Sequence, residues 1–217
     1  MDIPASLVKS LREKSGAGIM DCKAALVSTG GDLDKAIDFL RQKGLADAGK
    51  KAGRSATEGL VYAYIHPGGR IGVLVEVNCE TDFVARTPQF QELVKDVAMQ
   101  VAASNPLCVT REEVPPDVLE RERAIYEAQA RETGKPEKVI EKIVQGKLNK
   151  FYREDVLMEQ AFVKDPDKDL QTLVKEKIGE LGENITIRRF ARYLVGEGLE
   201  RQTKSLADEV QEQIAKV

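Results

Sequence analysis

The chain has 217 residues, with 33 Lys and Arg against 36 Asp and Glu for a formal net charge of −3, 42% apolar residues, three Cys, one His and no Trp. That balance excludes a strongly basic chain that binds nucleic acid through its overall field, and it is too mild for an acidic solvating protein. Cys22, Cys79 and Cys108 cannot all pair and show no C-x-x-C spacing, and no run approaches the roughly 18 apolar residues of a membrane span, so a reducing, cytoplasmic setting without a membrane is expected.

The first 43 residues read as three short helices. Ile3, Leu7, Val8 and Leu11 form one apolar stripe, with Pro4 suited to a first helical turn. Ser15-Gly16-Ala17-Gly18 breaks it. A second stripe runs through Ile19, Cys22, Ala25 and Leu26 to Thr29-Gly30-Gly31, and a third through Leu33, Ala36, Ile37 and Leu40, with Asp32 placed to cap it. Ten basic against seven acidic residues through Arg54 give +3, and 23 against 29 give −6 for the rest, so composition shifts near residue 44. Lys43, Lys50, Lys51 and Arg54 lie among Gly and Ala. The stretch 44–55 is taken as a solvated linker, with a helix extension and a phosphate contact as alternatives; no aromatic residue is interleaved to stack on bases.

From Leu60 the period becomes two. Val61, Ala63 and Ile65 alternate with Leu60, Tyr62 and Tyr64; His66-Pro67-Gly68-Gly69 supplies a turn; Ile71, Val73, Val75 and Val77 alternate again, which predicts a β-hairpin. Thr87-Pro88 then opens an amphipathic helix with Phe90, Leu93, Val94, Val97, Ala98 and Val101 on the face expected to cover the hairpin. Two further helices, separated by Thr133-Gly134-Lys135-Pro136, predict an antiparallel helical hairpin over 116–152. Asp165-Pro166 interrupts before a helix carrying Leu170, Leu173, Val174 and Ile178. Ile185 to Val195 alternates as a third strand, with Ile185, Ile187, Tyr193 and Val195 expected on one apolar face, and Leu206, Val210 and Ile214 mark a terminal helix over 197–217. The fold class is therefore α+β: a three-helix domain, 1–43; a linker, 44–55; a core with a small antiparallel sheet covered by helices, 56–196; and the terminal helix.

Residues for covalent chemistry are sparse. His66 has no Ser, Cys or carboxylate at a triad spacing, which leaves a hairpin-tip contact or an ordinary surface residue. A zinc site would have to gather Cys22, Cys79, Cys108 and His66 from unrelated segments, so buried apolar cysteines are expected, with no metal and no cofactor. Gly16-Ala17-Gly18 lacks the preceding strand and following Lys-Ser/Thr of a phosphate loop. The informative stretch is Cys79-Glu80-Thr81-Asp82-Phe83-Val84-Ala85-Arg86, between hairpin and helix. Either Phe83 and Val84 return the chain to the core, or the acidic and aromatic pair Asp82-Phe83 protrudes as an interface anchor on a rigid scaffold.

Three blocks carry a resemblance over nearly the whole chain: Leu11 to Leu26 (LREKSGAGIMDCKAAL), Glu76 to Ala85 (EVNCETDFVA) and Gly182 to Arg189 (GENITIRR). In content and order they resemble the translation elongation factor Ts family, guanine-nucleotide exchange factors for the GTPase elongation factor Tu, in the short form with a single core half. The resemblance implies a ubiquitin-associated-like N-terminal domain and an exchange role without covalent chemistry, in a bacterial cytosol or an organelle stroma or matrix. It implies that Thr81, Asp82, Phe83, Val84 and Ala85 form the loop that enters the partner near its magnesium, with Asp82 and Phe83 as the wedge. Arg12, Ile19 and Met20 would form the N-terminal contact, apolar at Ile19 where many relatives carry Met, and His66 a hairpin-tip contact. Short-form relatives pair, so a homodimer is considered beside a monomer; the absence of Cys after Cys108 excludes a C-terminal disulfide lock. No direct nucleic acid binding is expected. The competing class is a non-catalytic ribosome- or RNA-associated adaptor.

Overall fold

The computed structural model describes residues 3–199. Three helices open it: α1 (Ala5–Ser15), α2 (Ile19–Ser28) and α3 (Leu33–Lys51), the last capped by the Asp32 carboxylate, which accepts the Lys35 N–H at 3.1 Å. They enclose a small core of Val8, Leu11, Cys22, Ala25, Leu26, Ala36 and Leu40. Ile19, expected in the α2 stripe, lies outside that core and is 55% exposed.

The stretch taken as a linker is helical through Lys51. Its physical reason is tertiary: Ala48 is buried in the main core, and Gly44 comes close to Gly179 of a later helix, so α3 leaves its own domain and docks on the next one. Arg41 adds an ion pair with Glu176 at 2.9 Å, and Lys51 Nζ donates to the Ile178 carbonyl at 3.5 Å.

β1 (Glu58–Ile65) and β2 (Ile71–Cys79) form the expected hairpin; a one-turn helix, α4 (Asp82–Ala85), follows, and then α5 (Pro88–Ser104), capped by the Thr87 hydroxyl. α6 (Pro116–Arg131) and α7 (Glu137–Asp155) make the helical hairpin, zipped by Ala130, Ile140, Val144 and Leu148. At its root, Phe151 and Val156 pack with Cys108 and Val114. A short pair, β3 (Ala161–Phe162) and β4 (Asp165–Asp169), stands where the sequence suggested only an interruption. It is fastened by the buried Gln100, whose Oε1 accepts the Val163 N–H at 2.9 Å and whose Nε2 donates to the Ala161 carbonyl at 3.1 Å. α8 (Leu170–Leu181) and β5 (Ile185–Leu194) complete the described fold, with residues 195–198 in a turn. The terminal helix expected over 197–217 lies beyond the described residues from 200 onward.

The main sheet has the order β1-β2-β5, all antiparallel. One face, with Val73, Val75, Val77 and Cys79 at its centre, is covered by α5 and α8. The expectation that Ile185, Ile187, Tyr193 and Val195 share a face is overturned by a bulge in β5. Val77 faces Ile187 while Glu76 faces Arg189, so Arg188 is an extra residue and the alternation inverts. Ile185 and Ile187 are buried, whereas Tyr193 is 70% exposed on the opposite face. The bulge also brings both Arg188 and Arg189 onto the Glu76 carboxylate, at 2.8 and 2.7 Å, which holds that carboxyl below the usual glutamate range.

Candidate partner-binding site

β2 ends at Cys79, buried on the covered face, and Glu80-Thr81 carry the chain out of the sheet. Thr81 is extended, at φ −130° and ψ 154°, and its hydroxyl accepts the Val84 N–H at 3.4 Å, a cap that starts α4. The helix lasts one turn, because Thr87-Pro88 begins α5 in a new direction. One turn separates the side chains of the segment. Ala85 is 4% exposed and Val84 packs against the main core, while Phe83 points away and is 78% exposed. Both readings of the sequence are thus present in one segment: Val84 and Ala85 return the chain to the core, and Phe83 does not.

Burial of an aromatic side chain is favourable by roughly 1.5–3 kcal/mol, so Phe83 stands in water at a cost the fold itself does not require. Asp82 beside it is half-buried and paired with Arg86, whose Nη2 donates at 2.8 Å. Such an exposed i,i+4 pair is worth roughly 0.3–0.5 kcal/mol, so Asp82 is easily released to another cation.

Of the other candidates, Arg12 lies on the side of the N-terminal domain that faces the start of α5, while Ile19 and Met20 are exposed at the start of α2. Arg12 lines a surface cleft with Gln89 in the first turn of α5 and with Lys177 and Glu180 of α8, six residues of chain beyond Phe83. Met20 is 76% exposed at the start of α2. His66 sits at the far end of β2: the strand from Ile71 to Cys79 spans about 26 Å at 3.3 Å per residue. It is exposed, its Nδ1 lies 3.0 Å from the Tyr64 hydroxyl, and its backbone N–H closes the turn onto the Ile71 carbonyl.

Sequence reasoning assigned no role to Glu183 and Asn184, although both stood in a block that carried the resemblance. They lie in the α8–β5 turn, where Glu183 fastens Glu80 and Thr81 and Asn184 fastens Glu80, through contacts separated by more than 100 residues that no local pattern could reveal. Cys79 joins them: its Sγ donates to the Thr81 carbonyl at 3.1 Å, and burial, with Glu183 nearby, pushes its thiol up to about 11. Among the described residues, no group of three or more His, Cys, Asp or Glu could hold a metal ion, and no helix is long and apolar enough to cross a membrane.

The sequence profile of the family described as "Elongation factor TS" matches residues 49–197. Similar curated proteins named "Elongation factor Ts" include one from Syntrophomonas wolfei, 63% identical over 98% of this chain and 99% of its own length. Another, from Geobacter sulfurreducens, is 62% identical over 97% of each chain, and one from Desulforamulus reducens is 58% identical over 98% of each.

Proposed function

From a chain that belongs to the elongation factor Ts family, we propose a translation elongation factor that releases GDP from elongation factor Tu, with Phe83 and Asp82 as the wedge that enters the GTPase near its nucleotide and magnesium. The observation that carries this reading is Phe83, 78% exposed on a one-turn helix whose other apolar residues are tied into the core.

Exchange makes no covalent bond. The factor binds nucleotide-free partner more tightly than nucleotide-bound partner, and linkage makes this reciprocal: returning nucleotide weakens the factor's grip by the same ratio. A thousandfold acceleration of release needs roughly 4 kcal/mol. A desolvated aromatic anchor is worth roughly 2–4 kcal/mol, so Phe83 filling a pocket offered by the open state supplies much of it. Asp82, once it leaves Arg86, brings a carboxylate to compete for the cation's ligands or water, which leaves the nucleotide phosphates less well neutralised. Arg12, Ile19 and Met20 form a second contact on the N-terminal domain, held to the core by α3, and His66 a third at the hairpin tip.

The test is release of fluorescent GDP from purified elongation factor Tu. The wild-type chain accelerates release, and Phe83→Ala slows it by about 30-fold or more, the equivalent of 2 kcal/mol. Substitution of so exposed a side chain leaves stability within about 0.5 kcal/mol. Unchanged release with a folded Phe83→Ala variant would sink the wedge reading, and no acceleration by the wild-type chain would favour the adaptor.

A homodimer is supported by the sheet face left exposed among the described residues. Register places Ala63, Leu74 and Ala191 in one row and Ile65, Gly72 and Tyr193 in the next, with Val61 beyond; Val61, Ile65 and Tyr193 are each 65–70% exposed and Leu74 48%. A contiguous apolar face on a three-stranded sheet is self-complementary under a two-fold axis. Sedimentation should show a dimer that Leu74→Glu converts to monomer; a wild-type monomer at tens of micromolar, roughly the range a weak interface needs, would refute it.

A further inference from the structure

Gly182 ends α8 with φ +80°, a left-handed conformation that turns the chain sharply and sends Glu183 back toward the end of β2. The Glu183 carboxylate then takes three donors from the wedge segment. Its Oε2 accepts the Glu80 N–H at 3.1 Å and the Thr81 N–H at 2.9 Å, and its Oε1 accepts the Thr81 hydroxyl at 2.6 Å. The exchange is reciprocal: Glu80 Oε1 accepts the Asn184 N–H at 2.7 Å. Asn184, 3% exposed, donates Nδ2 to the Arg54 carbonyl at 2.7 Å, which draws the chain leaving α3 into the same latch. Every polar group of Thr81 is thereby committed, since its carbonyl accepts from Cys79 Sγ and from the Ala85 N–H. Phe83 and Asp82 contribute nothing to this frame; they are only carried by it.

The geometry points to Glu183 as a positioning residue for exchange, one that holds the Thr81–Ala85 turn in the conformation presenting Phe83 so that the partner meets a preformed wedge. The inference rests on the wedge reading above. An ionised carboxylate satisfies three donors at once, whereas glutamine offers one acceptor oxygen and turns an NH2 group toward groups that also donate. Without the latch the turn samples other conformers. The apparent affinity for the partner then falls by the fraction that remains competent, while the chemistry of a correctly seated wedge is unchanged.

The experiment measures fluorescent GDP release from elongation factor Tu across a concentration series of the full chain, so that plateau rate and half-saturating concentration are separated. Phe83→Ala, which removes the wedge itself, should lower the plateau. Glu183→Gln should raise the half-saturating concentration about tenfold or more with a plateau within about twofold. It should also speed hydrogen exchange at the Glu80 and Thr81 amides, and add less than about threefold in the Phe83→Ala background. A role in global stability alone would lower the melting temperature without this split. If Glu183→Gln proves unfolded at the assay temperature, Glu80→Ala cuts the reciprocal half of the latch and is read in the same way. Unchanged half-saturation in Glu183→Gln, or a full additional effect on top of Phe83→Ala, overturns the positioning role while leaving the wedge standing. No effect of Phe83→Ala removes the wedge and the positioning role together.

Discussion

Gly44 and Gly179 meet where α3 docks on α8, and methyl groups added to the two sides of that contact should have opposite effects on stability. A Cβ at Gly179 would lie 2.8 Å from Gly44 Cα, 3.3 Å from its carbonyl carbon and 3.4 Å from its oxygen, all of them backbone atoms that cannot rotate away. A Cβ at Gly44 would meet only Gly179 Cα, at 3.7 Å, an ordinary contact. Carbon atoms pack at about 3.5–4.0 Å, so Gly179→Ala forces the helices apart by about 1 Å, while Gly44→Ala forces nothing. Both substitutions gain helix propensity, worth up to about 1 kcal/mol in a helix interior and less at Gly179, two residues from the end of α8. Overpacking costs about 1–3 kcal/mol and therefore wins only at Gly179. Thermal unfolding should show Gly44→Ala stabilised by about 0.5–1 kcal/mol and Gly179→Ala destabilised by about 1–2 kcal/mol, with roughly 2–4 °C of melting temperature for each kcal/mol. Because α8 leads directly to Glu183 while α3 carries the N-terminal domain, Gly179→Ala should also weaken exchange more than Gly44→Ala does. Equal stability of the two variants, or a less stable Gly44→Ala, would refute the asymmetry.

Gln100→Ala should destabilise the chain by about 2–4 kcal/mol in urea unfolding, because it strands the Val163 N–H and the Ala161 carbonyl and opens a void at a fully buried site. Glu76, held below the usual glutamate range by Arg188 and Arg189, contributes stability at neutral pH that is lost as pH falls below about 4.3, the unfolded value, and on through its lower folded value. Glu76→Gln should flatten that acid limb. The thiols of Cys79 and Cys108, each raised to about 11 by burial, should resist a thiol reagent at pH 8 until denaturant is added. Their contribution to stability is present below about pH 8.5 and fades as pH rises toward 11.

Much of the fold was legible because local physics dictates it. The stripes of α1 and α5, the Asp32 and Thr87 caps and the alternation around His66-Pro67-Gly68-Gly69 each specify an element within a few residues. The failures share one cause. Residues 44–51 look like a basic linker until Ala48 and Gly44 find α8, and the alternation of β5 reads cleanly until one inserted residue at the bulge turns Tyr193 outward. Neither partner is a sequence neighbour.

At the candidate site the division is sharper. Sequence alone supplied the chemistry: an acidic and an aromatic residue in a short connection, in an order of motifs shared with one family, without a constellation for covalent catalysis. Tertiary structure decided which of those side chains is available. Thr81, Asp82, Phe83, Val84 and Ala85 are consecutive, yet one helical turn sends Val84 and Ala85 into the core and leaves Phe83 in solvent. What keeps that turn in place comes from Glu183 and Asn184, more than 100 residues away. Residue types and local periodicity are written in a one-dimensional string, whereas the exposure of a side chain depends on which distant surface lies against its neighbours, and that becomes definite only when the chain closes on itself.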